Sequence, residues 1–309
     1  MNTPSNAVPE SSFDSQVVPP AATTATRPLY WSVRRELWEN RSIYIAPLLV
    51  AAVVLFGFLI STIHLPQSRR AVLALDAAQQ REEISKPYNV VAGLILLTAF
   101  LVGVFYCLDA LHGERRDRSI LFWKSLPVSD LTTVLSKASI PLVVLPLLVF
   151  AIIVATQLIM LLVSSAVLLG AGLSAATTWT QLNLVESSLA LLYGLIAIAL
   201  WHAPVYGWLL LVSGWARRTA FLWAVIPLGA ICILEKIAFN TSHFAQLLGY
   251  RLIGWFPLVF ETHGSTPIHP LAQLAPGRFL TAPGLWIGLI FAAIFLAAAA
   301  RLRRYRGPI

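Results

Sequence analysis

Few side chains in this 309-residue sequence are spaced for chemistry. His112 and Asp117 form an HxxxxD spacing, which in some acyltransferases supplies a general base and the carboxylate that orients it. Both sit at the end of an apolar segment with no soluble domain to hold an acyl donor, so local hydrogen bonding is the better reading. His202, His243, His263 and His269 are scattered, and Cys107 and Cys232 fall in apolar runs where a thiol packs as a small hydrophobe. There is no HExxH, no GxSxG and no cysteine cluster of metal-ligand spacing. No Gly-Lys pair occurs anywhere, which removes the GxxxxGK[ST] phosphate loop. These searches assign no catalytic, cofactor or metal residue, and the chain is not read as an enzyme.

Composition explains the scarcity. The chain is 58% hydrophobic and 12% charged, with a mean hydropathy of +0.75, too little polar surface to cover a water-soluble fold. Windows of about 19 residues pick out apolar stretches near 43–65, 90–112, 138–165, 185–212, 219–239 and 284–300. Each exceeds the roughly 10 residues of a membrane barrel strand and none alternates, so six transmembrane helices are expected. The fold class is an all-α integral membrane protein, with a six-span transmembrane domain over 43–309. The third stretch can run on to Leu169, and Pro141 and Pro146 are expected to kink its start.

Residues 1–26, rich in Pro, Ser, Thr and Ala, read as a disordered tail. Residues 27–42 then form an amphipathic helix. Leu29, Tyr30, Trp31, Val33, Leu37 and Trp38 share one half, while Ser32, Arg35, Glu36 and Glu39 share the other. This fits a helix lying in the membrane interface, or else an extension of the first span. ALDAAQQREEI, after the first span, looks helical and soluble, and the segment from about 240 to 283 reads as re-entrant or interfacial helices.

Basic residues orient the bundle. The N-terminal flank, the second-to-third link, Arg217 and Arg218 in the fourth-to-fifth link, and the RLRRYR tail are on one side. Arg69, Arg70, Arg81, Lys86, Arg251 and Arg278 face the other. Both termini, with the loop between the second and third spans, are therefore expected on the cytoplasmic side. The net charge of +8 lies at span ends, where it meets anionic lipid rather than nucleic acid. Asp109, Glu186 and Glu235, at or near span ends, are candidates for a polar path or gate.

The largest charge concentration is Gly113–Lys137, GERRDRSILFWKSLPVSDLTTVLSK. Alternating charges precede an apolar knob centred on Phe122 and Trp123. Pro127 stops that element, and Ser129 is placed to cap a helix from Asp130 into the third span. A charged rim around aromatic residues suits docking of a soluble partner.

The stretch YCLDALHGERRDRSILFWKSLPVSDLTTVLSK, together with WHAPVYGWLLLVSGWARRTAFLWAVIP and the six-span pattern, resembles the permease subunits of bacterial type-2 ABC transporters over about residues 28–305. The resemblance implies an ATP-driven exporter working by alternating access as a pair of such chains. A separate ATP-binding subunit would hold ATP and Mg, with no cofactor in this chain. It also implies a coupling helix between spans two and three, carried here by Glu114, Arg115, Arg116, Asp117, Arg118, Phe122, Trp123 and Lys124. The substrate stays unidentified, with an amphipathic or lipid-like molecule the expectation. Two other classes stand beside this one, a membrane anchor or assembly protein without transport and an intramembrane enzyme.

Overall fold

The computed structural model describes residues 28–125, 128–260, 271, 274–307 and 309. The expected tail at 1–26 lies outside them, as does Pro127. The helices are α1 (Pro28–Glu39), α2 (Ser42–Ser61), α3 (Leu65–Val72), α4 (Ala77–Ala110), α5 (His112–Arg116), α6 (Ile120–Ser125), α7 (Asp130–Ser139) and α8 (Leu145–Gly170). There follow α9 (Ala176–Leu182), α10 (Leu184–Trp215), α11 (Ala220–Phe239), α12 (His243–Ile253), α13 (Phe256–Val259), α14 (Pro276–Thr281) and α15 (Pro283–Tyr305). Among the described residues there is no strand, only an isolated bridge between Phe260 and Leu274.

Six helical stretches are long and apolar enough to cross a membrane: Ser42–Val72, Ala77–Arg116, Asp130–Gly170, Ala176–Trp215, Ala220–Phe239 and Pro283–Tyr305. The chain is an all-α membrane protein, as hydropathy predicts. Several spans are longer than their apolar runs. The second begins at Ala77, so ALDAAQQREEI is not a separate link helix. Asp76 caps it by accepting from the Gln79 amide, and polar and apolar residues continue as one helix of 34 residues. The third is interrupted by a π-helical turn, Ile140–Val144, containing Pro141, whose missing amide cannot join the α-helical ladder. Past the turn, α8 continues to Gly170.

α1 is a helix of its own, broken from α2 at Asn40–Arg41. Its Glu36 is buried at 1% exposure, while Leu29, Tyr30, Trp31 and Trp38 are exposed. Arg35 and Glu36 of the polar half pack on protein together with Val33 and Leu37, while the four larger apolar side chains face outward.

α10 is the axis of the bundle. It packs most extensively on α15 and also meets α4, α8, α11 and α12. Its Trp201, Tyr206 and Leu210 are buried. Close approach to α15 depends on Gly207, where an added Cβ would lie 3.3 Å from the Ala292 carbonyl and from Phe295 Cβ. α2 and α11 are the least covered spans. Replacing Gly207 with Leu should separate α10 from α15, cost on the order of 1–3 kcal/mol and lower the thermal midpoint in detergent. Gly57→Leu, where no atom lies within 4 Å of an added Cβ, should leave the midpoint unchanged.

Candidate functional site

The segment after the second span is anchored by its own inward-facing residues. At Leu111 the chain breaks between α4 and α5, and the freed amides of Leu111 and His112 donate to the Ser213 hydroxyl at 3.0 and 2.9 Å. One turn on, the buried Arg115 guanidinium donates to the carbonyls of Gly214 (2.8 Å), Ala216 (3.1 Å) and Gly307 (3.2 Å). A cation is thus placed on the open carbonyls where α10 ends. His112 Nδ1 lies 3.3 Å from the Ala216 carbonyl, and Asp117 accepts from Arg116. The two residues of the HxxxxD spacing are therefore engaged with different partners.

Beneath the segment lies a buried ion cluster drawn from four stretches of sequence. The Lys137 ammonium of α7 bonds Glu36 of α1 at 2.8 Å and Glu114 of α5 at 3.1 Å. Arg303 of α15 reaches Glu114 at 3.2 Å and pairs with Asp130, the first residue of α7. Arg35 contacts Glu36 at 2.7 Å, and the Tyr106 hydroxyl of α4 donates to Glu36 at 2.8 Å. Three cations thus meet three carboxylates, which is what allows charge at this depth. Burial alone would raise the Glu36 carboxyl above its ordinary 4.5, but Lys137 and Arg35 outweigh it and hold the group below that value.

The outer part of the segment is open. Arg116, Asp117, Arg118, Leu121 and Phe122 are exposed. Arg118 adopts a left-handed backbone, φ 59°, that turns the chain from α5 into α6. Trp123 turns inward, with the Arg35 guanidinium 3.8 Å from its ring centroid, and packs edge-on against Phe122 at 4.9 Å. Lys124 donates to the Arg304 and Arg306 carbonyls at the end of α15. Ser129 accepts from the Thr132 amide as the expected cap of α7. Of the eight residues assigned to the loop from sequence, Glu114, Arg115, Trp123 and Lys124 fasten it to the bundle. Arg116, Asp117, Arg118 and Phe122 stand outward.

The proposed path residues are not brought together. Asp109, in the last turn of α4, is exposed and 3.9 Å from Arg116. Glu186 is half-buried in the first turn of α10, at the opposite end of the bundle. Glu235 accepts from the Thr241 hydroxyl (2.7 Å) and from the amides of His243 (2.7 Å) and Phe244 (2.8 Å), so it caps α12. α12 is fixed in turn by Arg251, which stacks on Trp201 at 4.8 Å and donates to the Gly284 carbonyl at 3.2 Å. The 240–283 segment contains the helices α12, α13 and α14, while residues 261–270 and 272–273 lie outside the described set.

Comparison with protein-family models, with curated proteins and with solved structures found no match to this chain. Function is therefore argued from this chain's own geometry. Sequence reading missed the roles of Lys137, Arg303 and Asp130. The available signal was a charge at the edge of an apolar run in the third and sixth spans, where an ionised group needs a partner.

Lys137→Met should leave Glu36 and Glu114 short of their shared cation and destabilise the protein by about 3–5 kcal/mol. Adding Glu36→Gln should restore part of that loss, a coupling read by thermal unfolding of the two single variants and the double. A carboxyl depressed on folding stabilises the native state above its unfolded value, and the contribution is lost as pH falls through the lower folded value. The thermal midpoint should accordingly drop as pH falls below about 4.5, and Glu36→Gln should flatten that acid limb.

Proposed function

We propose that this protein is the membrane-spanning subunit of an ATP-driven transporter, with ATP and Mg held by a separate soluble subunit that docks on the α5–α6 segment. The observation carrying this reading is the division of that segment into an outward face and an inward anchor. Arg116, Asp117, Arg118 and Phe122 are available to a partner. Glu114 and Arg115, next to them in sequence, are buried in contacts to α1, α7, α10 and α15. A push on the exposed face is thereby delivered to four helices at once. A loop that only tethers a partner has no need of such connections.

Six spans alone enclose little space, and the thinly covered α2 and α11 suit packing against a second copy. The function is then export by alternating access between two half-bundles. In that arrangement the basic end faces the cytoplasm of a bacterial inner membrane, and α1 lies with its aromatic face in the lipid interface. A membrane anchor would bind the same partner without changing its turnover.

The test is co-purification of the ATP-binding subunit, together with its ATPase rate in reconstituted membranes. Arg116→Glu with Phe122→Ala should reduce capture of that subunit at least tenfold and abolish stimulation, with insertion and thermal midpoint preserved. Unchanged capture would refute docking at this face. Normal capture and rate with Glu114→Gln would refute transmission through the anchor.

A further inference from the structure

The corner between α10 and α11 shares Arg116 with the docking segment, but its remaining features are used by neither that segment nor the ion cluster. A hollow of about 640 Å³ opens there between the end of α4 and the start of α11. Arg116, Arg217 and Arg218 line its polar side, with Asp109 and His112 beside them. Asp109 pairs with Arg116. Arg217 and Arg218 are exposed, and among the described residues neither has a hydrogen-bond or ion-pair partner. Three guanidiniums and one side-chain carboxylate thus meet at a hollow that Ile309 also lines, an excess of positive charge among the side chains.

Its other side is apolar. Phe105, Phe221 and Leu222 line the hollow and are about half exposed on membrane-spanning helices. The depth of the corner is marked independently by two half-exposed tryptophans, Trp215 and Trp223, which pack edge-on at 4.8 Å across it. Aromatic pairs of this kind sit at the level of lipid headgroups. The apolar run of α11 begins immediately after Arg218 and Thr219. Thr219 has φ 28°, an uncommon value for a β-branched residue, and supplies no side-chain cap, although its carbonyl accepts from the Leu222 amide at 3.0 Å.

We propose that this corner binds the phosphate headgroup of an anionic phospholipid, with its acyl chains against Phe105, Phe221 and Leu222. Two guanidiniums match phosphate oxygens in geometry and charge, and the apolar wall distinguishes a lipid phosphate from a free one. The inference does not depend on an ATP-binding partner.

Purified full-length protein in non-ionic detergent is titrated with dioleoyl phosphatidylglycerol and, separately, with dioleoyl phosphatidylcholine, and bound lipid is counted by native mass spectrometry. Phosphatidylglycerol should be retained in preference to phosphatidylcholine. Arg217→Gln with Arg218→Gln should weaken its retention about 30-fold, the effect of two arginines at a lipid surface. Thr219→Asp, which adds an N-cap that favours folding while placing a carboxylate in the site, should weaken it too without lowering the thermal midpoint. Equal retention of the two lipids, or unchanged phosphatidylglycerol retention in both variants, would overturn the proposal. Displacement of the lipid by an equal concentration of inorganic phosphate would assign the site to a free anion instead. Loss of the ATP-binding subunit from the arginine variant, with lipid retention intact, would assign the arginines to a protein contact.

Discussion

Lys137 is 2% exposed, and a charge at that depth is tolerated only in contact with opposite charge. The carboxylates that meet it come from α1 and α5, and the second oxygen of Glu114 is taken by Arg303 from α15. Desolvation of each group is offset only when the other helices are in place, so the cluster acts as one cooperative joint. The position of α1, the angle at which α5 leaves α4 and the seating of α7 all follow from it. The exposed tip of the α5–α6 segment is rigidly carried because its neighbours in sequence belong to this joint.

The opposite end is held by different chemistry. Glu235 satisfies the first amides of α12, and Arg251 lies against Trp201 and the backbone of Gly284. An added Cβ at Gly288 would collide with the Arg251 guanidinium, so a missing side chain on α15 makes room for a cation on α12. These contacts are mostly side chain to backbone. They fix where α12 sits against α10 and α15 but do not tie together as many spans as the cluster at the basic end.

Much of this was legible in the sequence. Hydropathy located six spans, Ser129 announced the cap of α7, and Pro141 announced the interruption that appears as a π turn. Helix length was less legible, since a hydropathy window registers apolarity and the polar first turns of α4 are helical without being apolar. The half-and-half pattern of α1 was visible, but the side that packs on protein was not. Arg35 and Glu36 turn inward because their partners wait there, which leaves Tyr30, Trp31 and Trp38 exposed. The pairings of Glu36 with Lys137 and of Glu114 with Arg303 could not be read from local periodicity, because their partners lie 101 and 189 positions away. In the loop, the sequence located the segment but could not sort its charges into anchors and exposed groups.

The separation of Glu114 from Arg303 also bears on biogenesis. Chains are made from the N-terminus, so α1, α5 and α7 are synthesised long before α15. Until Arg303 arrives, Glu36, Glu114 and Asp130 outnumber Arg35 and Lys137 by one charge. A carboxylate left over in this way is costly to bury. Insertion of the last span and neutralisation of the cluster are thus a single event.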